Sequence, residues 1–347
     1  MLFLGAGASQ EIGPPTMQRL SQVLELEFEN RGYGELISDI KGRLKNFGLK
    51  EDELEFETIF SILNGLKNPR ESIKDMGPLA VYLSTFAKEM PIVKIPEDLR
   101  EITENVVSRE CIKYDEEIAR KIYGPLLKVL NFRSSREVML ADGTKANEAL
   151  CSSIATTNYD LVLEKIVPKL YGDLNRLTRG FNFETPYRGS FLHITSYRQS
   201  SVDYIKLHGS IDWFWREDIN KIEELKWEPK EPSYYAEKYK GRMWIFPVQE
   251  KYVSKYPHSL LHGCFQRTLI ESGTNVYIVI GYSFRDPAIN NAFMNALTEK
   301  ENSRIIIVNP KPDEVLDRIT FPRASIIQRK IEDPKLPEEL NEKLTST

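Results

Sequence analysis

The chain has 347 residues, enough for one large or two medium domains, and its charge is balanced: 47 Lys and Arg face 51 Asp and Glu, for a net charge of -4. That balance supplies no overall attraction to nucleic acid or to an anionic membrane surface, and no apolar run approaches the roughly 20 residues a bilayer span needs. Hydrophobic residues make up 41% and charged residues 28%, a globular composition, and the three cysteines (Cys111, Cys151, Cys264) stand far apart without a CxxC pair, the usage of a reducing cytoplasmic setting.

The first predicted element is a strand at residues 2–4 that empties into Gly5-Ala6-Gly7-Ala8-Ser9. It has no lead-in, no basic leader and no cleavage site, so it does not read as a signal peptide. Either the start sits tight against the fold or the natural chain begins upstream. A helix is expected at 16–30, then helix-like segments at 35–45, 55–66, 78–88 and 98–130, the last two separated by Pro91 and Pro96. This stretch, 35–145, is expected to form a helical insertion subdomain. The remaining 1–34 and 146–335 are expected to form the principal domain.

From there strands and helices alternate. Strands are expected at Ser152–Thr156, Tyr204–Leu207, Met243–Val248, Asn275–Ile280, Arg304–Val308 and Ile326–Ile331. Helices are expected from about 161, at 257–271 and at 287–300, with 216–242 as an excursion above the sheet. The alternation predicts an α/β fold, a Rossmann-like parallel sheet with right-handed crossovers. In such sheets ligands sit beyond the carboxyl ends of the strands. Gly5–Ser9, Asn158, His208, Gly281–Ser283 and Asn309 all fall at predicted strand ends.

Each of these has an ordinary reading as well. Gly5 and Gly7 lack a Cβ, which lets backbone N–H groups approach a phosphate, but a tight strand–helix turn asks for the same residues. The third glycine of the dinucleotide fingerprint is replaced by Gln10, and no GK[ST] follows for a Walker loop. Asp160 suits a helix cap at Leu161, whereas Asn158 lies two residues too early for that role. An imidazole can take or give a proton near neutral pH, so His208 is a candidate general base; the ordinary reading is a histidine that satisfies a loop carbonyl. His258 and His262 stand i,i+4, a spacing open to a metal, but without a glutamate between them or a third ligand; Leu260 and Leu261 favour an amphipathic helix. Asp286 before Pro287 reads as a helix cap, and Ser283 as a ligand candidate.

As an ordered set, these motifs resemble the sirtuin superfamily, and more closely the zinc-less sirtuin-like domains of prokaryotic anti-phage defence proteins. Gly5–Ser9 matches the family's Gly-Ala-Gly-hydrophobic-Ser loop. Thr156-Thr157-Asn158-Tyr159-Asp160 matches Thr-Gln-Asn-Ile-Asp, with Leu163 and Glu164 following. His208-Gly209 matches the catalytic His-Gly pair, Gly281-Tyr282-Ser283 the Gly-Thr-Ser loop, and Asn309 the ribose-binding Asn. The likeness covers residues 1–20 and about 150–330. Three cysteines cannot build the four-cysteine zinc module of the deacylating members, so no zinc is expected. Ile12-Gly13-Pro14-Pro15 stands in place of Pro-Asp-Phe-Arg, and 47 residues lie between Asp160 and His208, a longer span than in protein deacylases.

The resemblance implies NAD as substrate and a glycohydrolase that depletes NAD in antiviral defence. It implies Asn158, His208 and Asp160 as catalytic residues. Gly5, Ala6, Gly7, Ser9, Thr157, Gly281, Ser283 and Asn309 would bind the cofactor. In that scheme Gly5–Ser9 and Ser283 hold the pyrophosphate, Asp160 the nicotinamide carboxamide, Asn158 the ribose and attacking water, and Asn309 the adenosine ribose, while His208 takes a proton. It further implies a homo-oligomer restrained or activated by a partner, such as a DNA-translocating ring ATPase. Membrane association and direct nucleic-acid binding are not expected. Two alternatives stay open: a zinc-less NAD-dependent protein deacylase, and a non-catalytic NAD or ADP-ribose sensor. A Rossmann dehydrogenase fits less well, because no acidic residue follows a second strand at the expected distance.

Overall fold

The computed structural model describes residues 1–46, 48–49, 54, 59, 95–130, 135–139, 145–149, 153–171, 177–178, 181–185, 188–191, 202–216, 221–225, 242–244, 258–270 and 275–345. The first elements are β1 (Leu2–Leu4), two 3-10 turns (Ala6–Ala8 and Gln10–Ile12), α1 (Met17–Asn30), α2 (Gly34–Asn46), α3 (Ile95–Cys111) and α4 (Glu116–Val129). Then come β2 (Ser135–Met139), β3 (Lys145–Ala149), β4 (Ser153–Thr156), α5 (Val162–Tyr171), β5 (Leu177–Thr178), β6 (Phe181–Thr185) and β7 (Arg188–Phe191). β8 (Val202–Lys206), β9 (Gly209–Arg216), β10 (Lys221–Leu225), β11 (Arg242–Trp244) and α6 (His258–Ile270) follow. The chain ends on β12 (Val276–Ile280), α7 (Pro287–Glu299), β13 (Arg304–Val308), α8 (Pro312–Leu316), β14 (Ala324–Ile327) and α9 (Leu336–Thr345).

These elements divide into two compact units. The larger comprises Met1–Pro14, Ile112–Ile245 and Glu250–Thr347. Its centre is a seven-stranded sheet in the order β14-β13-β12-β1-β4-β8-β5, parallel throughout. β1 is flanked on both sides, with Phe3 opposite Val279 on one neighbour and Ala155 on the other. A strand in that position is covered on both faces, which is why Leu2-Phe3-Leu4 is apolar without alternation.

The pleat sorts the side chains. Leu2, Leu4, Ile278, Ile280, Ile306 and Val308 join one core with α4, α5 and α9, through residues such as Tyr123, Leu126, Ile166 and Leu340. Phe3, Ala155, Ile205, Tyr277, Val279, Ile305 and Ile307 join the other, with Phe265 of α6 and Ile289, Phe293 and Leu297 of α7. Phe3 anchors the second core: its ring lies 4.9 Å from that of Tyr282, 5.4 Å from Phe293 and 5.7 Å from Phe265. Burying a side chain of that size contributes about 1.5–3 kcal/mol. The result is the expected α/β Rossmann-like parallel sheet between helical layers.

The smaller unit comprises Pro15–Cys111 with Phe246–Gln249, and its described elements are the helices α1, α2 and α3. Thr16 caps α1 by accepting from Arg19 N. Leu20, Leu24, Phe28, Ile37, Ile40, Leu44, Leu99, Val106 and Val107 are buried. The Tyr33 hydroxyl donates to Asp98 at 2.9 Å, and Lys41 pairs with Glu25.

The helical subdomain was expected at 35–145; the smaller compact unit runs over Pro15–Cys111 with Phe246–Gln249. Helix α1 clusters with it, while α4 does not. The segment 98–130 is two helices rather than one: the chain breaks after Cys111, and Asp115 caps α4 by accepting from Ile118 N. Its apolar stripe of Ala119, Tyr123, Leu126 and Leu127 then packs in the core with Leu2 and Leu4, which is what assigns α4 to the sheet. Of the strand expected at 243–248, only Arg242–Trp244 is described, and the last strand is Ala324–Ile327, ending before 331. The helices expected at 55–66 and 78–88 lie outside the described residues, apart from Ile59. A second, antiparallel sheet in the order β11-β9-β10-β7-β6 was not expected. It occupies part of the 216–242 excursion and part of the long span before His208.

Candidate active site at the carboxyl edge of the sheet

Parallel pairing places five strand ends side by side. Along β13, β12, β1, β4 and β8 the chain leaves the sheet at Asn309, Gly281, Gly5, Thr157-Asn158 and Leu207-His208. Four inter-strand steps of about 4.8 Å give an edge of about 19 Å, room for a dinucleotide laid across it.

The glycines are explained by packing of loop on loop. A Cβ on Gly5 would lie 2.5 Å from Gly281 O and 2.5 Å from Tyr282 Cα, and one on Gly281 would lie 2.4 Å from Ala8 N. Gly281 also has φ +65°, a conformation that side chains resist. Gly5 N donates to Ile280 O at 2.9 Å and Gly7 N to Gly281 O at 3.0 Å. Ala6 opens the 3-10 turn, where Ala8 N donates to Gly5 O and Ser9 N to Ala6 O. The amides of Gly5, Gly7, Ala8 and Ser9 are thus already satisfied by carbonyls. The interlock between the two loops is by itself sufficient reason for these positions to be small.

Asn158 ties this loop to the end of β4. Its Nδ2 donates to Gly5 O at 3.0 Å and to Ser9 Oγ at 3.2 Å, and its own N–H donates to Thr156 Oγ1. The Thr156 hydroxyl donates in turn to Leu4 O at 2.8 Å, and Thr157 N donates to the same carbonyl. Asn158 is 8% exposed, and its Oδ1 has no hydrogen-bond partner among the described residues. A buried acceptor without a donor is costly, about 1–3 kcal/mol, and marks a place for a ligand or water.

Asp160 caps α5, its Oδ1 accepting from Val162 N at 3.0 Å. Burial pushes its carboxyl above the ordinary value, against the nearby Lys206 ammonium, the Val162 amide and the Ser9 hydroxyl. Lys206 is fully buried. It donates to Asp160 O and Tyr159 O and pairs with Glu164 at 2.9 Å. This ammonium fastens the loop carrying Asn158 to the end of β8, just before His208.

His208 is buried, and its Nε2 lies 3.3 Å from Asp286 Oδ2. The other oxygen, Asp286 Oδ1, caps α7 by accepting from Ala288 N and Ile289 N. Burial alone would raise the Asp286 carboxyl, but the His208 hydrogen bond and charge and the Ile289 amide bring it below its ordinary value. The turn that delivers Asp286 runs through Phe284 at φ 55°, a left-handed residue whose ring makes tilted contacts with those of Tyr282 and Phe321. Ser283 before it is exposed, and its carbonyl accepts from Arg318. Asn309 spends its amide on Tyr282 O at 3.4 Å and its Oδ1 on Lys311 N at 2.8 Å, bracing the ends of β12 and β13.

His258 and His262 form one turn of α6 and are buried. Burial, followed by the charge of His208, pushes their imidazoles down, to about 3 and about 4. Among the described residues no group of His, Cys, Asp and Glu could hold a metal ion. The i,i+4 pair is therefore a neutral wall beside His208.

Two contributors escaped sequence reading. Lys206 carries a signal, a lysine inside the apolar run Tyr204-Ile205-Lys206-Leu207, but nothing in the sequence names its partners. Asp286 was legible only as a cap, since its second contact crosses 78 positions. No helix among the described residues is long and apolar enough to cross a membrane.

Residues 152–328 match the SIR2-like domain. No curated protein matches the chain. Among solved structures it is similar to a Sir2 homologue, a histidine-to-asparagine mutant in complex with ADP-ribose. The identity is 15%, over 100% of this chain and 93% of that one, with a TM-score of 0.45. It is also similar to a chain described under the structural basis for the mechanism and regulation of Sir2 enzymes, at 16% identity over 100% and 92%, with a TM-score of 0.38. With the match running over half its length, the chain belongs to the SIR2-like domain family, an NAD-binding branch of the sirtuin superfamily.

Proposed function

We propose that this chain cleaves the bond between nicotinamide and ribose in NAD. The observation that carries the reading is Asn158 Oδ1, a buried acceptor without a hydrogen-bond partner among the described residues, held on the strand edge between the glycine loop and His208. It suits a ribose hydroxyl or a water next to the scissile carbon. As the C1′–N bond lengthens, its electron pair neutralises the nicotinamide ring and the ribose takes on oxocarbenium character. In hydrolysis a water oxygen bonds to C1′ and gives a proton to His208. NAD and water become nicotinamide, ADP-ribose and a proton.

The acceptor has two readings. Membership of the SIR2-like family supports an acyl-lysine acceptor, and so a zinc-less protein deacylase, at least as well as it supports water. Three cysteines, too few for a four-cysteine zinc module, and the 47-residue span before His208 speak for water and a glycohydrolase. Purified protein incubated with NAD, with and without an acylated lysine peptide, separates them by chromatography. Free ADP-ribose without peptide marks the hydrolase. Acyl-ADP-ribose formed only with peptide marks the deacylase. NAD bound but left intact by the protein under every condition overturns cleavage and leaves a sensor.

Cellular context is a further part of this proposal. Unchecked NAD hydrolysis exhausts the cell, so a cytoplasmic role in antiviral defence calls for restraint by self-association and by a partner such as a DNA-translocating ring ATPase. Light scattering and co-purification from the native host test both.

A further inference from the structure

The contact between His208 and Asp286 does more than the cap requires. An N-cap uses one side-chain oxygen, and Asn and Ser serve as well as Asp. Asp286 spends only Oδ1 on the Ala288 and Ile289 amides. With two amides on that oxygen and Pro287 fixing the first turn of α7, the carboxylate cannot rotate freely. Its Oδ2 is thereby aimed at His208 Nε2, 3.3 Å away.

We propose that Asp286 is a positioning residue for His208, fixing the imidazole with its proton on Nε2 and so making Nδ1 the basic atom. This rests on the reading of His208 as the group that takes the proton. A carboxylate only accepts hydrogen bonds, so the neutral ring facing it carries hydrogen on Nε2 and its lone pair on Nδ1. When Nδ1 takes a proton, the imidazolium forms beside a fixed negative charge, as in other histidine–carboxylate pairs. The neighbours on α6 do not compete: His258 and His262 are buried and neutral at working pH, so neither is a cation that would draw the carboxylate away.

The capping role makes the substitution Asp286→Asn selective. The side-chain oxygen stays with Ala288 N and Ile289 N, which turns the amide NH2 toward His208 Nε2. Nε2 must then accept, and the proton moves to Nδ1. Asp286→Ser keeps the cap and is too short to reach the ring.

The test uses the full chain labelled with 15N-histidine, whose four histidines are few enough to resolve, with His208→Gln identifying the His208 signals. At a pH where the ring is neutral, wild type is expected to show hydrogen on Nε2, and Asp286→Asn hydrogen on Nδ1. In parallel, kcat for NAD in Asp286→Asn is expected to fall by about 10²- to 10⁴-fold with KM within a few-fold. Asp286→Ser, which leaves Nε2 without either an acceptor or a donor from this position, is expected to lose less than Asp286→Asn, with both tautomers populated. The same tautomer in wild type and Asp286→Asn, or wild-type kcat in that variant, overturns the positioning role and leaves NAD cleavage standing. NAD left intact by wild type, with the tautomer inverted in the variant, overturns NAD cleavage and upholds the pairing.

Discussion

Gly281 and Gly7 are in backbone contact across the sheet edge: Gly7 N donates to Gly281 O at 3.0 Å, and a Cβ on Gly281 would stand 2.6 Å from the Gly7 carbonyl carbon. The first loop of the chain and the loop after β12 are one unit, 274 positions apart in sequence. Gly281→Ala combines a left-handed φ with a collision against backbone that cannot yield. We expect a loss of at least about 2 kcal/mol in urea unfolding, or no folded protein. An unchanged midpoint would falsify the interlock.

Asn158→Ala removes the donor shared by Gly5 O and Ser9 Oγ together with Oδ1, which has no hydrogen-bond partner among the described residues. Stability is expected to fall by about 1–3 kcal/mol. NAD turnover is expected to fall by about 10²-fold or more under conditions where the variant remains folded. Turnover equal to wild type in the folded variant removes Asn158 from the reaction.

Lys206→Met leaves Glu164 and two carbonyls without their buried ammonium, and is expected to cost about 3–5 kcal/mol. Removing the stranded carboxylate as well, in Lys206→Met with Glu164→Gln, should recover part of that loss. Denaturant titrations of the single and double variants decide; strict additivity would show that the two residues are not coupled.

His262 supplies a pH signature. Its imidazole is pushed down to about 4 in the folded protein, by burial and then by His208, from an ordinary value of 6.5. Between those values the unfolded chain holds a proton that the folded one does not, so stability rises with pH across this window and declines on acidification. One such group contributes a slope of about 1.4 kcal/mol per pH unit. His262→Phe should flatten the stability profile by about that slope between pH 6.5 and about 4. Parallel profiles for wild type and variant would contradict the burial of a neutral ring.

How far the site was legible follows from which interactions are local. Asp160 and Asp286 stand one or two residues before their helices, so both caps could be read from spacing. The strand ends could be read because the predicted strands stop just before Gly5, Asn158, His208, Gly281 and Asn309. The break at Lys113–Asp115 was harder to read, because residues on both sides are good helix formers and the stop is set by Ile12 O accepting from Asp115 N. Strands β9 and β10 escaped because their aromatic and charged residues lack a clean alternation, and their pairing is decided by partners elsewhere in the chain.

The sequence by itself determined the parallel α/β sheet and the five polar strand ends, since both depend on short-range patterns of burial and turn chemistry. Tertiary structure decided what those residues do. Glycines that suggested a phosphate loop also interlock two loops, because only in space does Gly281 meet Gly7. A helix cap proved to be also the carboxylate facing His208, because a fixed turn through Phe284 and Pro287 aims its second oxygen there. A lysine in an apolar strand proved to be the tie between Asn158 and His208, because burial leaves its ammonium only the carbonyls and carboxylate that the fold brings to it.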